Sequence, residues 1–170
     1  MSDAVRLVLL SIVNWLHLAA TITWLGAMVT NMLVLMPAAR ETLEPPVMGR
    51  FMGSFMKKFR PLVYTCIIAL VVTGVIMMLL NRHYLGIFDF GNLWTGLLLV
   101  KHVLIIIIVV MVIYAFEVLA PKVGKLAAAG PSPEFAKLQK LQMNIAMAGL
   151  VMALSVLLLT SVLTAISSLP

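Results

Sequence analysis

Apolar residues gather in four long runs separated by short polar segments. Each run reaches or exceeds the roughly 18 residues that a bilayer-crossing helix requires. The pattern predicts spans over about residues 5–36, 61–81, 93–119 and 134–166. The first run closes at Pro37, which cannot donate the next helical hydrogen bond. Ahead of the second run, Met48, Phe51, Met52, Phe55 and Phe59 recur at helical spacing with Arg50, Lys57 and Lys58 among them. That alternation predicts a short amphipathic helix lying in the membrane interface and feeding the second span. The connection "NRHYLGIFDFGN" is rich in turn formers and aromatics. At "GPSPEFAKLQK", Ser132 is placed as an N-cap and Pro133 as the first residue of the fourth helix. The expected fold is an all-α integral membrane protein, an up-down-up-down bundle of four transmembrane helices in a single domain over residues 1–170.

Composition narrows the chemistry. With 63% hydrophobic and 11% charged residues, four spans leave no room for a soluble domain among these 170 residues. The N-terminal "MSDAVR" is followed by no short apolar region with a small-residue cleavage site, so the first run reads as a retained span. The single cysteine, Cys66, lies within the second span, which excludes an intramolecular disulfide and a CxxC motif. A net charge of +6 would suggest nucleic acid in a soluble protein, but here the cations sit in two loops. Arg40, Arg50, Lys57, Lys58 and Arg60 occupy the first, and Lys122, Lys125, Lys137 and Lys140 the third; Arg6 and Arg82 lie on the other side. The positive-inside rule then puts both termini outside and makes the amphipathic helix cytoplasmic. In a bacterium this means the inner membrane, with both termini periplasmic.

Against this background His17 is conspicuous, because an ionisable group inside an apolar span calls for a partner or a task. Steps of three and four gather Asn14, His17, Thr21, Trp24, Met28 and Asn31 on one stripe, so this face points inward. A second histidine, His102, shares a face of the third helix with Thr95, Leu98, Ile106, Val109 and Ile113. His17 lies about thirteen residues from the outer end of its helix and His102 about nine, a difference of about 6 Å at 1.5 Å per residue. In an up-down-up-down bundle the first and third helices are diagonal, so the two imidazoles can flank a flat cofactor. Heme b fits that requirement, with His17 and His102 as axial iron ligands. Lys101, Arg82 and Arg6 lie on the outer side as cations for the propionates, and Trp24 and Thr21 belong to the same lining. Glu117, near the inner end, is expected to pair with loop lysines.

The stretches "WLHLAATITWLGAM", "FMKKFRPLVYTCIIALVVTGVIM" and "LLLVKHVLIIIIVV" resemble the CopD-type copper-resistance membrane domain and the related HemJ-type protoporphyrinogen oxidase, over about the first 120 residues. The HemJ-type resemblance implies a heme b protein whose functional pair is a first-helix histidine and a third-helix lysine, here His17 and Lys101. His102 departs from that pattern; it supplies a second axial ligand and counts against the oxidase activity.

Copper is the alternative cofactor. Met28, Met32 and Met36 repeat every four residues, as do Met48, Met52 and Met56, and thioether sulfur is a ligand for Cu(I). His17 and Met28 are roughly 16 Å apart along a helix, too far to share one site. A structural subunit, with both histidines as interhelical hydrogen-bonders, is a third reading. The sequence favours a bis-histidine membrane cytochrome transferring electrons near the outer side, with membrane lipid and either a quinone or a periplasmic electron carrier as partners. Nucleic acid is not among them, a homo-oligomer is compatible with the sequence, and whether the chain is itself an oxidoreductase stays open. The charge asymmetry yields a direct test: alkaline phosphatase fused to either terminus should be active and green fluorescent protein dark, whereas fluorescence from both ends would reverse the orientation.

Overall fold

In the structure, a computed structural model, residues 2–81, 84, 86, 93–130 and 132–168 are described. Arg82 and His83 lie outside the described residues. The described chain is helical: α1 (Asp3–Thr30), α2 (Met36–Thr42), α3 (Pro45–Leu79), α4 (Leu93–Ile113), α5 (Ala120–Ala129) and α6 (Pro133–Ser168). Two π-helical segments, Asn31–Leu35 and Tyr114–Leu119, join α1 to α2 and α4 to α5. Four helical runs, Ala4–Thr42, Val47–Leu79, Leu93–Ala127 and Pro133–Ser168, are long and apolar enough to cross a membrane.

The runs outlast the expected spans, and prolines explain two of the differences. The first helix continues past Pro37 to Thr42, and the third past Pro121, which stands near the start of α5. In α geometry a proline ring collides with the carbonyl four residues earlier, which is Leu33 for Pro37 and Glu117 for Pro121. Both of those residues lie in a π segment. The wider turn accommodates the ring, so the helix is locally rewound rather than ended. Residues ahead of Pro61 are continuous with the second span in the single helix α3. Along that stretch Phe51, Met52, Phe55, Met56 and Phe59 are half-buried, while Lys57, Lys58 and Arg60 are exposed. The start of α6 is as expected: Ser132 Oγ accepts from the Phe135 amide at 3.1 Å, and Pro133 opens the helix.

Helix α1 packs chiefly against α3, and α4 against α6. The contacts are antiparallel. Arg6 donates to the Leu80 carbonyl at 2.9 Å, and eleven residues further along α1, His17 meets Thr73. Trp94 Nε1, at the start of α4, donates to Ser167 Oγ near the end of α6 at 3.0 Å. Around that bond Trp94, Leu98 and Leu163 form a buried cluster, with Met78, Tyr84 and Ile166 against it. At the opposite end, Phe59 and Tyr64 of α3 meet Phe116 edge-on, with ring centroids 6.3 and 5.9 Å apart. Elsewhere many large aliphatic side chains point outward, while Val63, Ile108, Leu119 and Leu150 are buried. Ile22, Ile68, Leu93 and Leu158 are each more than 60% exposed, a surface that membrane lipid would cover.

Glu117 is not partnered by loop lysines. It accepts from Arg60 Nη2 at 2.6 Å and from the Tyr64 hydroxyl at 2.6 Å, tying α3 to the π segment after α4. Both charged side chains are roughly two-fifths exposed, which limits the strength of the pair. A double-mutant cycle on Arg60→Met and Glu117→Met, read by SDS-driven unfolding in mixed micelles, should give a coupling of about 1 kcal/mol. Strict additivity of the two substitutions would mean that the pair fixes no helix position.

Candidate functional site

His17 sits half-buried on α1, facing α3. Its Nδ1 lies 2.7 Å from the Thr73 hydroxyl. That hydroxyl has one proton, which it donates to the Ala69 carbonyl at 2.6 Å, as threonines in apolar helices commonly do. Toward His17, therefore, the Thr73 oxygen accepts and Nδ1–H donates. The neutral ring then carries its lone pair on Nε2. Gly74 follows Thr73, and a Cβ built there would meet His17 Cε1 at 3.6 Å, so the imidazole edge lies against the backbone of α3 at this level.

His102 reaches the same tautomer by another route. Its Nδ1 is 2.7 Å from the Leu98 carbonyl one turn earlier, and a carbonyl can only accept. Nδ1–H is thus engaged and Nε2 again holds the lone pair. Metal-ligating histidines are commonly fixed this way, with the second nitrogen held by a neighbouring acceptor. Among the described residues no hydrogen bond joins the two histidines. On α4, Lys101 precedes His102 directly. His17, Lys101 and His102 are all half-buried.

The remaining sequence candidates divide. Thr21 donates to the His17 carbonyl at 2.8 Å, so its own donor serves the backbone. Trp24 lines a cavity further along the bundle. Asn14, expected on the inward stripe, is exposed, whereas His17, Thr21, Trp24, Met28 and Asn31 are half-buried. On α4 the expected face holds at Thr95 and Leu98, which are buried, and at His102 and Val109, which are half-buried, and fails at its two isoleucines. Ile106 and Ile113 are 63% and 46% exposed, while Leu98, Ile108 and Leu119 are buried and Lys101, Ile105 and Val112 lie between them at helical spacing. A helix that is aliphatic nearly all round carries no periodicity to fix its face. Thr73 was not a candidate; the available signal was a lone hydroxyl beside a glycine in the apolar stretch "VVTGVI".

The second feature is a cavity of about 170 Å³ toward the other end of the molecule. Met28, Met32 and Met36 reach it from the first helical run, and Met52 and Met56 from α3. Met111 on α4 and Met143 on α6 bring thioethers from the remaining helices. Phe59, Phe116 and Trp24 add rings, and Asn31, Gln139, Gln142 and Arg40 add polar groups. Along the first helical run the lining begins at Trp24, about 10 Å from His17 at 1.5 Å per residue, and reaches Asn31, about 21 Å away. His17, Thr73 and His102 are not among the lining residues.

No protein-family model matches the chain, and neither a curated protein nor a solved structure matches it. The site has to be read from its own chemistry. Among the described residues no three of His, Cys, Asp and Glu converge. What α1 and α4 each offer is an imidazole whose Nδ1 is engaged by an oxygen, with Lys101 next to His102 in the chain. The ¹⁵N shifts of labelled protein test this directly. His17 should show a protonated Nδ1, Thr73→Val should shift its tautomer equilibrium toward Nε2–H, and Thr73→Ser should restore it. Indifference of the His17 shifts to Thr73→Val would remove the orienting role of that hydroxyl.

Proposed function

We propose that this chain is an integral membrane cytochrome that holds one heme b between His17 and His102 and passes single electrons near the outer face of the membrane. The observation that carries the reading is that two imidazoles on different helices each have Nδ1 2.7 Å from an oxygen, which leaves Nε2 available. His17 and His102 would be the residues that hold the heme iron. When bound, heme supplies a one-electron carrier. The chain's own residues do the rest: Thr73 and the Leu98 carbonyl orient the rings, and Lys101, next to His102 in the chain, would serve a propionate. The resemblance to HemJ-type proteins leans the same way for His17 and Lys101.

The arrangement in the membrane belongs to the same proposal. The chain crosses in an up-down-up-down sense, with both termini periplasmic in a bacterial inner membrane and the cationic loops inside. The half of α3 before Pro61 rests in the inner interface with its phenylalanines and methionines inward. Copper(I) handling is the second reading, favoured by the gathering of Met28, Met32, Met36, Met52 and Met56 on one cavity. Metal analysis of the purified protein separates the two.

Alanine substitution at the two histidines tests the cytochrome reading. His17→Ala and His102→Ala should each lose heme or convert it to a high-spin, ligand-accessible form. His83→Ala should leave the spectrum low-spin. Retention of an unaltered low-spin heme by both of the first two variants would sink the proposal.

A further inference from the structure

The methionine cavity poses a problem that thioethers alone do not answer. Asn31 Oδ1, on its wall, is buried and has no hydrogen-bond partner among the described residues. A buried amide oxygen left in that condition keeps the cost of its lost hydration. A soft cation bound to the sulfurs would do little for it, because an amide oxygen is a hard ligand. A ligand that brings an O–H donor would satisfy it.

Size and lining restrict that ligand further. A cavity of about 150 Å³ with apolar walls accepts a benzene ring, and this one is about 170 Å³. Thioethers conform to aromatic rings and attract them, and Phe59 and Phe116 offer ring contacts of their own. Polar groups stand on a second helix as well, where Gln139 and Gln142 of α6 share the cavity with Asn31. An aromatic ring with a hydroxyl at each end meets both sets. The helices around it are apolar outside, so a ligand with a hydrocarbon tail could remain in the lipid phase.

We propose that the methionine cavity is a binding site for the head group of a membrane quinol, its ring among the thioethers and one hydroxyl donating to Asn31 Oδ1. The inference rests on the cavity alone and does not require heme at the histidines. The reduced form is the preferred ligand, because a quinone has carbonyls that only accept and cannot satisfy the Asn31 oxygen.

A short-chain 1,4-benzoquinol, kept reduced under anaerobic conditions, is titrated into the full-length protein in nanodiscs, with Trp24 fluorescence as readout and Trp24→Phe as its control. One quinol should bind per chain, and more tightly than the matching quinone. Asn31→Leu should weaken quinol binding about tenfold and abolish the preference over quinone. Gly149 lines the cavity, and a Cβ there meets nothing within 4 Å. Gly149→Leu therefore fills the space without crowding the backbone; it should remove binding while helical circular dichroism and the histidine-site spectrum stay unchanged. Three results would overturn the inference: no saturable quinol binding, binding indifferent to both substitutions, or stoichiometric silver(I) binding lost on Gly149→Leu in a protein that takes no quinol. Each can be obtained with or without heme present, so failure here and failure of the cytochrome reading are distinguishable.

Discussion

Inside a bilayer there is no water to satisfy a polar group, so each one in a spanning helix must find a protein partner or a ligand. This constraint organises the molecule. Most hydroxyls meet it locally: Ser11, Thr21, Ser155, Thr160 and Thr164 donate to the carbonyl one turn before them. Those groups cost little and join nothing. The ones that join helices are few. His17 with Thr73, Trp94 with Ser167, and Arg60 and Tyr64 with Glu117 fix α1 on α3, α4 on α6 and α3 on the end of the third run. Between them, outward aliphatic side chains are left to lipid, which makes few demands on their arrangement.

The same constraint singles out the groups that local bonding leaves available. Two imidazoles retain an Nε2 lone pair, Lys101 stands half-buried next to one of them in the chain, and Asn31 presents an amide oxygen to a cavity. They divide between two levels, one with nitrogen donors and one with sulfur and amide groups, separated by about four turns of the first helix. A heme at the first and a ring ligand at the second would give each of these groups a partner.

How much of this could be read from the sequence follows from the range of the forces involved. Four helices long enough to span were legible, since hydropathy over such a run overwhelms local detail. So was the Ser132 cap, because its partner is three residues away. The inward placing of His17 was legible from the polar stripe, although Asn14 at its end turned out exposed. The fate of Pro37 and Pro121 was not, because a proline that ends a helix and one absorbed by a π turn look alike in sequence. The face of α4 was legible at Thr95, Leu98 and His102, and blurred beyond them in its run of isoleucines and valines. Thr73, Glu117's partners and the convergence of methionines from four helices depend on how helices meet, and no spacing within one helix encodes that.

The central claim is that the paired lone pairs of His17 and His102 exist to hold iron in heme. The most direct measurement is the absorption spectrum of the unmodified, detergent-purified protein, oxidised and then dithionite-reduced, with heme quantified as its pyridine adduct and metals analysed alongside. The account predicts one b-type heme per chain, six-coordinate and low-spin in both states, with iron in equal amount. A colourless protein, or one carrying copper in place of iron, would contradict it.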